Sequence, residues 1–391
     1  MNYRISKHAA ALSPSLTLAI DAKAKQMKAE GVDVVGFGAG EPDFDTPRHI
    51  KDAAVKALAE GFTKYTPSSG IVELRQAIAD KLRRDNGLSY KPSQVIVSCG
   101  GKHSCYNTIL ATCQEGDEVI IPSPYWLSYP EMVKLAGATP VIVPTSDATE
   151  FKVTPDQLRA AITPRSRLFI LNSPSNPTGS LYTRAEIKAL GDLCVEKGLL
   201  IMSDEIYEKL VYDGAEHVSV ASFSPAHLEH TILVHGFAKA YSMTGWRLGF
   251  LAAPEPIAKA IDAIQSHSTS NPTSFAQKGA VAALTGPQDH LKSWLAEYAH
   301  RRSYAHQRLN AMPGISCVNA KGAFYLFPNI ARLGLTSTEF CARLLEHEHV
   351  AAVPGIAFGA DDYLRISYAT SLANIQKGLD RMEKFVRGLK K

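Results

Sequence analysis

Between residues 95 and 252 the chain repeats one pattern, a short Ile/Val/Leu run closed by Gly, Pro or Ser and then a helical stretch. The runs are Val95–Cys99, Glu118–Ile121, Thr139–Val143, Leu168–Leu171, Leu199–Ser203, Thr231–Val234 and Leu248–Ala252, with helical patterns such as Arg184–Glu196 between several of them. Strands that are apolar on both faces and alternate with helices predict an α/β fold around a mostly parallel, seven-stranded sheet with helices on both sides. In open sheets of this kind ligands bind beyond the carboxyl ends of the strands.

After Pro287 the pattern changes. A charged helix pattern over Asp289–Leu309 is followed by Gly322–Phe327, a helix near Thr338–Glu346, Val350–Pro354, Tyr363–Ser367 and a last helix near Leu372–Leu389. This predicts a smaller α+β domain over 288–391. Residues 49–287 form the large domain, and residues 1–48 an arm that partly joins the small one. A length of 391 residues exceeds what one compact core usually holds.

Charged residues make up 20% of the chain and the formal net charge is +4, so neither nucleic acid nor a membrane surface is an expected partner. None of the six cysteines is spaced as CxxC, which reads as free thiols in a reducing compartment. The opening segment MNYRISKHAAALSPS lacks the continuous apolar stretch of a secretory leader, and no uncharged apolar run nears the ~20 residues of a membrane span. The expectation is a cytoplasmic protein without a metal.

Four strand ends carry polar clusters, and each has two readings. Ser98-Cys99-Gly100-Gly101-Lys102 is either a tight turn or a helix start whose free N–H groups cradle an anion. Asn172–Gly179, NSPSNPTG, is either a proline-rich connection or a ligand edge bearing Asn176. Asp204, in Ser203–Glu208, SDEIYE, is either a helix N-cap or a catalytic carboxylate. Lys239, in Phe237–Gly249, FAKAYSMTGWRLG, is either a solvated surface lysine or a desolvated amine made nucleophilic by a lowered pKa.

In this order and spacing the segments resemble the class I/II aminotransferases of pyridoxal-phosphate fold type I. The likeness runs from Gly38–Pro47, GAGEPDFDTP, to Tyr363–Ser371, YLRISYATS. Within the family it is closest to bacterial aspartate aminotransferases of the subgroup that also contains prephenate aminotransferases. The resemblance implies pyridoxal 5'-phosphate as cofactor and a role for each matching residue. Lys239 would hold the cofactor as a Schiff base and, once displaced, move the substrate proton. Asp204 would pair with the pyridinium nitrogen, which lets the ring act as an electron sink. Tyr207 and Asn176 would bond the ring's phenolic oxygen, and Trp126 would stack on the ring. Gly100, Gly101, Lys102 and Arg247 would surround the phosphate.

Arg365 would clamp the substrate α-carboxylate with Gly40 beside it, and Lys102 would reach a distal carboxylate. Tyr65, in Lys64–Gly70, KYTPSSG, would serve the neighbouring subunit's phosphate site, which implies a homodimer with shared sites. Ser15 and Thr17 match a segment that folds over the substrate. Two positions depart from the pattern: Gly236 and Ala238 stand where many relatives have hydroxyl residues near the Schiff-base lysine, so that one phosphate hydrogen bond is either missing or replaced by backbone. Ser13 stands where prephenate-using members commonly have a basic residue.

The implied reaction moves an amino group from aspartate or glutamate to 2-oxoglutarate or oxaloacetate. The alternatives are an aromatic or prephenate aminotransferase and, less favoured, a lyase of the same fold type. A regulator with a degenerate domain of this kind would need an added DNA-binding domain, for which no residues remain.

Overall fold

The computed structural model describes residues 3–14 and 16–389. Its strands are β1 (Val35–Gly36), β2 (Val95–Ser98), β3 (Glu118–Ser123), β4 (Thr139–Pro144), β5 (Ser166–Asn172), β6 (Leu200–Asp204), β7 (Thr231–Gly236), β8 (Gly249–Ala252), β9 (Tyr325–Leu326), β10 (Val350–Ala351), β11 (Val353–Pro354) and β12 (Leu364–Ser367). The seven runs read from the sequence form one sheet in the order β2-β8-β7-β6-β5-β3-β4. Only β8 opposes its neighbours; the other pairs are parallel. Every residue of β2, β7 and β8 is buried, as a sheet covered on both faces requires. The edge strand β4 is largely exposed.

The covering helices carry local signals that stop and start them. Thr183 caps Arg184–Lys197 in a reciprocal box with Glu186, and Gly198 closes it in the left-handed region at φ 64°. Thr336 and Glu339 do the same for the helix Ser337–Glu348.

A second body of structure is built from both ends of the chain. β1 pairs with β10, with Val35 opposite Val350. β9, β12 and β11 form a three-stranded antiparallel sheet. Val35 and Phe37 pack in one core with Tyr298, Phe340, Leu364 and Met382, and Tyr207 and Leu210 of the central segment enter it too. Tyr207 therefore stands where the two bodies meet.

The reversal of β8 matters for the site. β2, β6 and β7 end at one edge of the sheet, and antiparallel β8 begins there. The residues after β2, β3, β5, β6 and β7 and those just before β8 thus converge on a single edge.

Candidate active site

At that edge the helix Gly101–Thr112 starts directly after β2, with Gly100 at its cap. The N–H groups of such a first turn have no partner inside the helix and face whatever lies before it. Gly100 has φ 99°, and a Cβ there would lie 2.7 Å from Arg247 Nη2, so the bare backbone is what lets the guanidinium approach this turn. Arg247 donates to the Thr244 carbonyl at 2.8 Å. Lys102 Nζ lies 5.1 Å over the Trp126 ring. Loss of hydration and the neighbouring Arg247 lower the Lys102 pKa.

Lys239 follows β7 and reaches the Gly40 carbonyl. Its amine sits 5.7 Å from the Tyr207 ring and 5.6 Å from Phe324. Burial, with Arg365 and Arg247 adding positive charge, lowers its pKa to about 8, against the opposite pull of Glu41 and Asp204. Lys239 is half-buried and its amine is half deprotonated near pH 8, which favours the second of the two readings left by the sequence, a partly desolvated amine.

Asp204 is the last residue of β6 and is buried. It is no helix N-cap: among the described residues its carboxylate bonds Tyr129 Oη at 2.7 Å, the Ile206 N–H at 3.2 Å and the Cys105 thiol at 3.8 Å. Burial pushes its pKa up; Tyr129 and the Ile206 amide hold it back.

Arg365, in β12, is also buried. It donates to Asn176 Oδ1 at 3.1 Å and to the Gly38 carbonyl at 2.7 Å, while its Nε is buried without a partner. Its guanidinium carbon lies 4.6 Å from the centre of the Tyr325 ring. Tyr207 Oη and Tyr325 Oη are 2.9 Å apart.

The structure therefore brings Gly40, Gly100, Gly101, Lys102, Trp126, Asn176, Asp204, Tyr207, Lys239, Arg247 and Arg365 to one region. Gly38, rather than Gly40, is the carbonyl that meets Arg365; Gly40 meets Lys239. Tyr65 stands apart from them at 91% exposure. Ser15 lies outside the described residues. The glycine at 236 has a packing reason: a Cβ there would lie 3.1 Å from both Gly249 Cα and Ile206 Cδ1, which leaves little room for a hydroxyl side chain. Tyr129, Cys105, Gly38 and Tyr325 are site residues that the sequence reading missed. Tyr129, in the first turn of the helix Ser128–Leu135, meets the Trp126 ring edge-on at 5.2 Å.

Among the described residues none of Lys102, Lys239, Arg247 and Arg365 is ion-paired with a carboxylate. Four cations and one buried acid without a cationic partner call for an occupant that is anionic at two places and carries a protonated nitrogen. Pyridoxal phosphate with an amino-acid substrate has that charge pattern, so these residues fit the group.

Fold and site together are those of an α/β enzyme with a lysine, a buried carboxylate and three further cations at one sheet edge. The chain belongs to the family described as aminotransferase class I and II, whose model matches residues 32–382. It is 52% identical over 388 residues to the aspartate aminotransferase of Geobacillus stearothermophilus, covering 98% of this chain and 99% of that one. It is 45% identical to the aspartate/prephenate aminotransferase of Nitrosomonas europaea, with 97% and 98% covered. The Thermus thermophilus aspartate aminotransferase structure with maleate superposes at a TM-score of 0.94 and 43% identity, over 98% of this chain and 100% of that one.

Proposed function

We propose that this protein is a pyridoxal-phosphate aminotransferase that takes the amino group from L-aspartate or L-glutamate and passes it to 2-oxoglutarate or oxaloacetate, in two half-reactions on one site. The convergence of Lys239, Asp204 and three further unpaired cations carries the reading. When bound, the cofactor supplies an electron sink for the pair left behind as the substrate loses its Cα proton. The protein's own groups do the rest. Asp204, whose raised pKa is held back by Tyr129 and the Ile206 amide, would hold a proton on the ring nitrogen. Tyr207 and Asn176 would donate to the ring's phenolic oxygen, and Trp126 would cover the ring. The first turn at Gly100–Lys102 and Arg247 would hold the phosphate. Arg365 clamps the α-carboxylate by its fork. Lys239, with a pKa near 8, is poised to take the Cα proton and return it to the other side.

For the distal carboxylate we assign Lys102, the exposed cation over the Trp126 ring. The maleate in the Thermus thermophilus structure is itself a dicarboxylate. A second acceptor, prephenate, is favoured by the aspartate/prephenate relatives. Against it, position 13 is a serine whose N–H is bonded to Glu131 at 3.2 Å, so an acid and no cation stands there.

The exposure of Tyr65 suits a residue that completes the site of a second copy, and we assign the active form as a homodimer in the cytoplasm. Among the described residues no helix is long and apolar enough to cross a membrane. The direct test is a half-reaction screen: each amino acid is mixed with the cofactor-loaded protein and the loss of its visible absorbance is followed. Aspartate and glutamate are expected to bleach it fastest. Faster bleaching by phenylalanine or alanine would overturn the dicarboxylate assignment, and a fully active monomer in sedimentation would overturn the shared site.

A further inference from the structure

Tyr325 has no role in the reaction as assigned above, yet two groups that do have roles close upon it. It lies in β9, bonded across to β12 with Ser367 opposite Tyr325, and its side chain is fully buried. Its Oη is 2.9 Å from Tyr207 Oη, the two rings meeting edge-on at 81°. Its ring face carries the Arg365 guanidinium at 4.6 Å. The Gly40 backbone packs on the same hydroxyl, since a Cβ at Gly40 would lie 3.4 Å from Tyr325 Oη.

A tyrosine hydroxyl has one proton to donate. If Tyr207 gave its proton to Tyr325, none would remain for a ligand. If Tyr325 donates, the Tyr207 proton is free to point into the site. The charge beside the pair decides the direction. The Arg365 guanidinium lies over the Tyr325 ring at 4.6 Å and over the Phe358 ring at 5.1 Å, so of the two phenols its positive charge bears most directly on Tyr325 and makes it the more acidic. The more acidic phenol is the better donor, and a donor that receives a hydrogen bond is in turn polarised to donate more strongly.

We infer that Tyr325 is a positioning residue for amino transfer: it donates to Tyr207, so that the Tyr207 proton is aimed at the ring phenolic oxygen of the cofactor, and it seats Arg365 on its ring. This rests on the aminotransferase reading above. One phenol thereby links the clamp for the substrate carboxylate to the group that sets the charge on the ring oxygen.

The test compares cofactor-loaded wild type, Tyr325→Phe, Tyr207→Phe and the double variant. Tyr325→Phe keeps the ring under Arg365 and removes only the hydroxyl. The first readout is the pH midpoint of the bound cofactor's visible absorbance, which a purely structural role would not move. Tyr325→Phe is expected to raise that midpoint by about 0.4 to 1 unit and to lower kcat for aspartate about two- to tenfold, the scale of one neutral hydrogen bond. KM should stay within about twofold, because the seat of Arg365 remains. The double variant should match Tyr207→Phe, since Tyr325 acts through Tyr207. An unmoved midpoint in Tyr325→Phe, with or without a rise in KM, overturns the inference alone. So does a full extra shift in the double variant. A wild-type protein that does not take the cofactor on Lys239 overturns the aminotransferase reading and this inference with it.

Discussion

Replacing Lys102 by serine removes one positive charge and leaves the turn backbone in place. Two interactions are lost. The amine no longer sits over Trp126 at 5.1 Å, a contact worth about 0.5–1 kcal/mol at an exposed position. That loss falls on every substrate, because Trp126 is not specific to any. The second loss is the charge-assisted hydrogen bond to a distal carboxylate, worth about 1.5–3 kcal/mol. Lys102 is exposed and Arg247 remains nearby as a positive charge, so the lower end applies. The ratio of kcat/KM for aspartate over that for phenylalanine should therefore fall about tenfold, mostly through the KM of aspartate. Stopped-flow half-reactions with each donor measure it. The depressed pKa of Lys102 adds a pH signature: as pH rises and Lys102 loses its proton, wild type should drift toward the ratio of the serine variant. An equal fall for both donors would refute the assignment and place Lys102 wholly in the phosphate site.

Asp204→Asn replaces the buried acid proposed to face the ring nitrogen by a near-isostere that carries no charge. Half-reaction rates are expected to drop at least a hundredfold while the protein still binds cofactor through the turn at Gly100 and Arg247; rates near wild type would remove Asp204 from the chemistry. Without cofactor, Lys239 should make stability depend on pH. Its amine is neutral in the fold above about pH 8, but stays protonated in the unfolded chain until about 10.5. Between those values the unfolded state binds the extra proton, so stability rises with pH. The cofactor-free wild type should show a rise in Tm from pH 8 to 10 that is absent in Lys239→Met; parallel curves would contradict the desolvated amine.

Much of this was legible in the residues because strand ends announce themselves. The runs read as closing at Cys99, Leu171, Ser203 and Val234 are short and apolar, as buried strands are, and each leads into a polar cluster. What was hidden depends on pairs made only by folding. Asp204 meets Tyr129 across 75 residues, and Tyr207 meets Tyr325 across 118. Neither partner stands out locally. Tyr325 sits in an apolar run, AFYLF, whose period speaks only of core, and Tyr129 reads as one more aromatic on a covering helix. The exchange of roles between Gly38 and Gly40 was equally invisible, since a carbonyl's direction follows from backbone torsions that side-chain identities leave open. Gly236 shows the reverse case. Its lack of a hydroxyl looked like a lost contact in the sequence, and the packing against Gly249 and Ile206 supplies the reason.

The central claim is that Lys239 is the residue that bonds the cofactor. Purified protein loaded with pyridoxal phosphate, reduced with borohydride and digested, should give a single labelled peptide carrying the modification on Lys239 within Phe237–Gly249, and Lys239→Ala should give none. A label on Lys102 or any other lysine, or a labelled Lys239→Ala protein, would contradict the claim and the mechanism built on it.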